Sequence, residues 1–538
     1  VDCIRGRSGI TGAVGASDTA LTRIELTRTE TRLDRLSALR AAPLDVLVIG
    51  GGINGAGIIR DLALRCSGMP VRLGLVERAH FSSGTSGRNS QLIHGGLRYL
   101  KNMEFPLVSE ALAERGILLR TAPHLVTALP FLIPLRDWVS AAFYETGLLL
   151  YDTLAGAARI ERFRHLSGDA LKNLEPEMRT FRAGARFFDC QVNSARLVLL
   201  NIREAESRGA MALNYLSVAN LLKESDLWQA DLLDELSGER FSVQAKRVVD
   251  ATGAWTQEKN LRLVRGSHLI FPRLGNSENA IAYFHGDGRV IFFIPWGRRR
   301  ELTLVGTTDV DHLGSVDSVH ISDEEVSYLR GIADLVFPES RSSKPICSYS
   351  SLRPLVRDES ASATKTSREH RIWADERGMV HVSGGKYTTY RKMSEETVDL
   401  AWPELAAKHG TAVTPILGNS PERVGELLGN ANTLGAEHGI PEIDIRDIIH
   451  DYGVETPDLL RMLPESARVP RLEAAQIAFA ARHEWVQHLS DLIFISTYWG
   501  YEKSWRSDML LPYAQELGSH LGWQEQRVAD EISRVLNA

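Results

Sequence analysis

Asp45-Val46-Leu47-Val48-Ile49 runs into Gly50-Gly51-Gly52-Ile53-Asn54-Gly55-Ala56-Gly57 and on into Ile58-Ile59-Arg60-Asp61-Leu62-Ala63-Leu64. A β-branched apolar run, a glycine cluster and an apolar helix former in that order spell strand, tight turn, helix. After Gly68-Met69-Pro70, the run Val71–Val76 reads as a second, parallel strand that ends in Glu77. In this context Gly50-x-Gly52-x-x-Gly55 is a dinucleotide fingerprint: its glycines let the backbone approach a pyrophosphate, whose charge then meets the unpaired N–H groups of a helix N-terminus. Glu77, 22 residues past Gly55, is placed to accept both ribose hydroxyls and to repel a 2′-phosphate. Gly50, Gly52, Ile53, Asn54, Gly55 and Glu77 are therefore the first expected ligand contacts.

The rest of the chain sets limits on that reading. Its 538 residues exceed what one core usually organises, so two or three cores are expected. Hydrophobic residues at 43% and charged residues at 24% are ordinary for a globular protein. A net charge of −6 without a long basic run excludes a broad polyanion footprint, so nucleic acid is not an expected partner. Cys3, Cys66, Cys190 and Cys347 form no C-x-x-C pair, which points to a reducing compartment and to no metal site. The longest apolar stretch, Leu125–Leu135, is interrupted by two prolines and is too short to span a bilayer. Residues 1–43 read as a flexible or short helical extension outside the main fold, neither transit peptide nor secretory signal.

An α/β architecture (α+β overall) follows, in which residues 44–411 form a nucleotide domain with an interleaved substrate sheet, the substrate part lying mainly in 106–247 and 262–380. Residues 106–184 read as helical, with amphipathic stretches at Val108–Leu119 and Trp138–Leu154, and short alternating runs between 185 and 351 predict an antiparallel sheet. Residues 412–538 read as a separate helical domain, with Ile477, Ala481, Trp485, Leu489 and Ile493 on one helix face.

Three further segments together favour FAD over NAD. The loop Phe81–Ser90, rich in hydroxyls, suits the pyrophosphate and ribityl chain of an extended FAD, through Thr85, Ser86 and Ser90. Val248-Val249-Asp250-Ala251-Thr252-Gly253 is a strand that turns at Thr252-Gly253 to cover the adenine side. Gly384-Gly385-Lys386-Tyr387-Thr388-Thr389 sets donors at a helix start, with Gly385, Lys386, Thr388 and Thr389 available to flavin carbonyls.

The segments GGGINGAG, QLIHGGLRYL, FPLVSEALAER, RGSHLI, IPW, GTTD, LRPL and GGKYTTYRKM, in that order, resemble those of the FAD-dependent glycerol-3-phosphate dehydrogenases of the D-amino-acid oxidase superfamily. The resemblance is close from Asp45 to Met393 and looser beyond. It implies a glutathione-reductase-like FAD domain, a substrate-binding sheet and a helical cap. It also implies oxidation of sn-glycerol 3-phosphate to dihydroxyacetone phosphate by hydride transfer to flavin N5, with a membrane quinone as acceptor. Leu92, His94, Gly95 and Gly96 join the expected cofactor contacts. Arg98, Tyr99 and Arg368 are implied around the substrate phosphate, which needs charge-assisted donors. His268 in RGSH is the chosen base, with Arg353 and Lys386 as catalytic cations and His94 packed near the ring rather than acting as base. Gln91 stands where such proteins usually carry lysine, Ala254 where they carry proline, and Phe494-Ile495-Ser496-Thr497 where they carry paired arginines.

Read by themselves, residues 130–135, Trp138, Phe143 and Leu148–Leu150 favour core packing; the resemblance implies instead that they attach the chain peripherally to the inner face of a bacterial cell membrane, and homodimerisation is left open. No EF-hand is seen, since the stretch 309–320 lacks the glutamate expected at its twelfth position. Rival readings are a glycerophosphate oxidase that releases peroxide, an amine or hydroxy-acid oxidase on the same fold, and a catalytically silent flavin-binding paralogue.

Overall fold

The computed structural model describes residues 31–97, 100, 103–135, 138–178, 180–256, 261–356 and 370–537. The fingerprint strand Leu44–Ile49 lies inside a sheet ordered His370–Ala374, Val380–Gly384, Arg240–Asp250, Leu44–Ile49, Leu73–Val76, Met211–Leu213. Along that order the pairings are parallel except that of the edge strand His370–Ala374. Leu44, Val46, Leu47 and Val48 are fully buried, as continuous apolar runs are when both faces of a parallel sheet are covered. An antiparallel ribbon, Leu216–Glu224 with Leu227–Asp234, extends Arg240–Asp250. The sheet thus draws on three stretches far apart in sequence.

The helix Ile53–Arg65 packs on this sheet and is buried almost all round. Its charged residues are paired inside: Arg60 with Glu204 at 2.6 Å and Arg65 with Asp61 at 2.7 Å. Gly57 permits the close crossing with Tyr390–Ala401, since a Cβ there would lie 2.3 Å from Ser394 Oγ.

A second, ten-stranded sheet is largely antiparallel and carries the RGSH, GTTD and LRPL motifs on three strands: Leu261–Pro272, Leu302–Gly306 running into its exit turn, and Cys347–Val356. It includes Val126–Leu135 and Arg164–Ser167, which corrects the helical reading of residues 106–184; the helices there are Phe105–Thr121, Trp138–Ala155 and Gly168–Leu174. Two prolines are tolerated in Val126–Leu135 because its neighbour Ala280–Phe284 pairs at two positions only, Ala280–Phe131 and Ile281–Leu132, so few N–H donors are needed on that flank. Phe131, Leu132, Ile133 and Leu148 are core residues, so they present nothing to a membrane. Of that proposed face, Phe143 and Leu149 are exposed, at 58% and 60%.

At the two termini the structure adds detail. The described part of the leader, residues 31–43, takes the short helical form and packs on the fold. Thr31 and Asp34 form a capping box on the helix Arg32–Arg40, which buries Leu36 and Leu39 and anchors through Arg32 to Asp234 at 2.8 Å. In the C-terminal region the helix Arg471–His483 stops short of Trp485, whose φ is +54°. Ile477, Trp485, Leu489 and Ile493 are buried as expected, yet on successive short elements rather than one helix. This region has apolar clusters of its own, but it also interlocks with the first sheet's layer. Glu484 pairs with Arg196 at 2.5 Å with both side chains buried, and Tyr498 Oη donates to Gly87 O at 3.1 Å while accepting from Ala195 N at 3.1 Å.

Candidate active site

A cavity of about 860 Å³ opens at the carboxyl ends of the parallel strands and runs between the two sheets, where open α/β sheets place their ligands. Its floor is the fingerprint turn. Gly50 has φ +107°, and a Cβ there would lie 2.6 Å from Ala251 O; a Cβ on Gly55 would lie 1.8 Å from Gly50 O. Gly50, Gly52, Ile53 and Asn54 line the cavity, whereas Gly55 does not; its task is to let the helix start close beneath the turn. The N-cap Gly52 carries no side chain to satisfy the helix, and Ser86 Oγ takes that place by accepting from Ile53 N at 2.8 Å.

Glu77 stands at the end of the second strand. Its carboxylate accepts from Gly51 N at 2.7 Å and Ala79 N at 2.9 Å, and burial pushes its pKa up against the pull of those two donors. Thr85, Ser86 and Ser90 line the wall, with Thr85 Oγ1 donating to Leu352 O at 2.5 Å. Thr252 and Gly253 also line it, and the turn is held by Asp250, which accepts from Thr252 N at 3.0 Å and Thr252 Oγ1 at 2.6 Å. Leu92, His94 and Gly96 form the opposite wall with Gly385, Lys386 and Thr388. Thr388 Oγ1 accepts from His94 N at 3.0 Å and donates to His94 O at 3.2 Å, stitching the two segments. Gly95 and Thr389 lie behind the wall: Gly95 N donates to Tyr151 Oη at 2.9 Å, and Thr389 Oγ1 donates to Lys386 O at 3.3 Å.

The cavity fits an FAD. The close-approach glycines, the helix N-terminus and Glu77 supply what a pyrophosphate and ribose require, and the long trough beyond them, with Thr388 and Lys386 at its far end, suits the extended remainder.

The motifs of the second sheet converge on one guanidinium. Arg353 donates to Asp309 Oδ1 at 2.7 Å, Thr308 O at 3.0 Å and Thr307 Oγ1 at 2.8 Å. A Cβ on Gly266 would lie 2.3 Å from Arg353 Nη2, so the glycine of RGSH makes the room. Glu325 ties the same strands together, accepting from Ser267 Oγ at 2.8 Å, Thr308 Oγ1 at 2.6 Å and Arg265 at 2.6 Å. Burial would raise its pKa, but the hydrogen bonds from Thr308, the Ser322 backbone and Ser267 outweigh it and hold the carboxyl below its usual range. Arg353 and Lys386 both line the cavity.

His268 is not brought to the cavity wall. It is 1% exposed and stands behind Ser90, whose Oγ is 2.9 Å from its Nε2. Burial and the neighbouring Arg353 push its pKa down to about 3. The imidazole that lines the cavity is His94. Arg98, Tyr99 and Arg368 lie outside the described residues.

Sequence reasoning missed a clasp at the dinucleotide end. Asp317, from the loop after the strand Val310–Asp311, lines the cavity with Val316 and Val319. It pairs with Arg78 and accepts from Trp255 Nε1 at 2.8 Å, while the Arg78 guanidinium lies 4.9 Å from the Trp255 ring centroid. This clasp joins the substrate sheet's loop to the residue after Glu77 and to the Thr252-Gly253 turn. No local signal marks the loop, because its role exists only once the two sheets are packed.

A family model described as FAD dependent oxidoreductase matches residues 45–391. Among curated relatives, the chain is 32% identical to glycerol-3-phosphate dehydrogenase 2 of Mycobacterium tuberculosis, over 91% of this chain and 88% of that protein. It is also 32% identical to the aerobic glycerol-3-phosphate dehydrogenase of Escherichia coli, over 88% and 98%. A solved glycerol-3-phosphate dehydrogenase from Bacillus halodurans, complexed with FAD, has the same fold, with a TM-score of 0.75 at 24% identity, covering 94% of this chain and 96% of that one.

Proposed function

This chain belongs to the FAD dependent oxidoreductase family, and from that premise we propose that it oxidises sn-glycerol 3-phosphate to dihydroxyacetone phosphate. The observation that carries the reading is Arg353. A guanidinium fixed on Asp309 and Thr307 stands on the wall of the cavity that the dinucleotide fingerprint opens, so an anionic substrate is drawn to the cofactor's side. The relatives named for this substrate span nearly the whole chain, which supports the same choice.

Bound FAD supplies a two-electron hydride acceptor. Gly50, Gly52, Ile53, Asn54, Glu77 and Thr252 would hold its adenosine and pyrophosphate side; Ser86, Lys386 and Thr388 would hold the rest. Lys386 Nζ, 9% exposed as a residue, and Arg353 stabilise negative charge on the substrate. The proton of the carbinol needs an acceptor within hydrogen-bond reach. His94 lines the cavity and His268 does not, so we assign the acceptor to His94 in place of His268. Arg98, Tyr99 and Arg368 remain the proposed phosphate ligands by resemblance.

A membrane quinone is the proposed electron acceptor, with the chain resting on the lipid surface through Phe143 and Leu149 of the helix Trp138–Ala155. No helix among the described residues is long and apolar enough to cross a membrane. The test is anaerobic addition of glycerol 3-phosphate to the purified flavoprotein. Bleaching of the visible flavin band is expected, followed by fast reoxidation with a quinone and slow reoxidation in air. No bleaching overturns the substrate; rapid peroxide release in air makes the protein an oxidase.

A further inference from the structure

His268 is enclosed on every side the structure describes. Tyr349 lies over it with ring centroids 5.0 Å apart, a Cβ on Gly306 would lie 2.2 Å from its Cδ2, and among the described residues the buried Nδ1 has no hydrogen-bond partner. Its one polar contact among those residues is Ser90. Either neutral tautomer leaves Nδ1 unmatched, and a bare ring nitrogen costs less there than an orphaned N–H donor. The proton therefore sits on Nε2, which donates to Ser90 Oγ.

That choice releases the hydrogen of Ser90. The neighbouring hydroxyls of this wall have spent theirs on backbone carbonyls: Thr85 on Leu352 O at 2.5 Å, Thr307 on Thr308 O at 3.2 Å and Ser351 on Arg88 O at 2.6 Å. Among the described residues, Ser90 has no such carbonyl, and it lines the same cavity as Arg353. A donor fixed from behind and open in front is the arrangement that stabilises an oxygen gaining negative charge.

We propose that the Ser90 hydroxyl donates to the carbinol oxygen of the substrate, and that His268 is a positioning residue that acts only through Ser90, holding it by the Nε2–H donor. The inference rests on the reading of the substrate given above. His268 takes no proton at any step: an imidazolium would need an acceptor at Nδ1, where none stands among the described residues, beside the Arg353 charge. Its depressed pKa of about 3 accords with that.

The test is the rate of anaerobic flavin reduction by glycerol 3-phosphate in FAD-loaded protein. S90A should slow it about 100-fold, and H268L about 10-fold, through loss of Ser90's orientation. H268Q, whose amide N–H reproduces the Nε2 donor, should restore the rate to within about threefold of the parent, because only the donor is required. The double variant S90A/H268L should be no slower than S90A, since residues that act as one unit are not additive. The flavin midpoint potential of substrate-free S90A should equal the parent's. H268Q as slow as H268L, a double variant slower than S90A by the full H268L factor, or a shifted potential each overturns the proposal; the last would direct the hydroxyl to the flavin. A parent that glycerol 3-phosphate fails to bleach refutes the substrate itself, a failure recognisable because it precedes any variant.

Discussion

A Cβ at Gly55 would come within 1.8 Å of the Gly50 carbonyl oxygen, far inside contact distance, and neither atom belongs to a side chain that can rotate away. Gly55→Ala must therefore push the helix start off the turn, at a cost of about 3 kcal/mol or more. It should purify without yellow colour and with a lowered thermal midpoint. A yellow G55A of normal midpoint would refute the close approach. Gly55 was legible in the sequence because spacing alone gives its place in the fingerprint. His268 was legible as a residue of interest and not as a depth. Alternation along a strand tells which face a side chain takes, whereas the presence of Ser90 in front of it depends on a loop 178 residues away.

Between residue and molecule, two joints decide whether the cavity keeps its shape. The first ties the carboxyl end of the strand Arg240–Asp250 to the start of its parallel neighbour Val380–Gly384, where His381 Nδ1 and Asp250 Oδ2 are 2.9 Å apart. Burial opposes charge on both partners. For His381 the Asp250 contact, helped by Asp375, outweighs burial and raises the pKa; for Asp250 the His381 and Thr252 hydrogen bonds outweigh it and lower the pKa. A raised His contributes stability below its unfolded value of about 6.5 and loses it as pH rises through the folded value; a depressed Asp contributes above about 3.9 and loses it as pH falls. The pair is thus strongest between about pH 4 and 6.5. His381→Asn should lower the thermal midpoint most near pH 5.5, with the gap narrowing toward pH 9. A gap constant across that range would show that the ring remains neutral. The second joint is the Asp317 clasp. Asp317→Ala should speed FAD dissociation about two- to fivefold, the size expected of exposed ion pairs, and should remove the salt dependence of that rate; flavin fluorescence on release reports both. Strands with uninterrupted apolar runs were readable in advance, whereas Val126–Leu135 was obscured by Pro130 and Pro134. Their tolerance reflects the sparse pairing on one flank, a property of the neighbour and not of the segment itself.

At the scale of the whole molecule, the C-terminal helices are part of the cavity's foundation. Arg196 and Glu484 meet at 2.5 Å with side-chain exposures of 2% and 0%, so removing one partner strands a buried charge. Glu484→Ala should cost about 3–5 kcal/mol, whereas replacing both residues with methionine should cost less; thermal midpoints of the two variants decide it. Composition and helical periodicity announced a C-terminal helical region, yet nothing local announced that Tyr498 would grip Gly87 and Ala195, because that hydroxyl's partners are some three to four hundred residues upstream. The central sheet has a related dependence. Its strands come from residues 44–76, 211–250 and 370–384, and Lys386 and Thr388, on the wall of the trough, follow the last of them. During translation a chain still tethered to the ribosome lacks that side of the trough until residue 388 has emerged, so the complete flavin trough exists only late in synthesis.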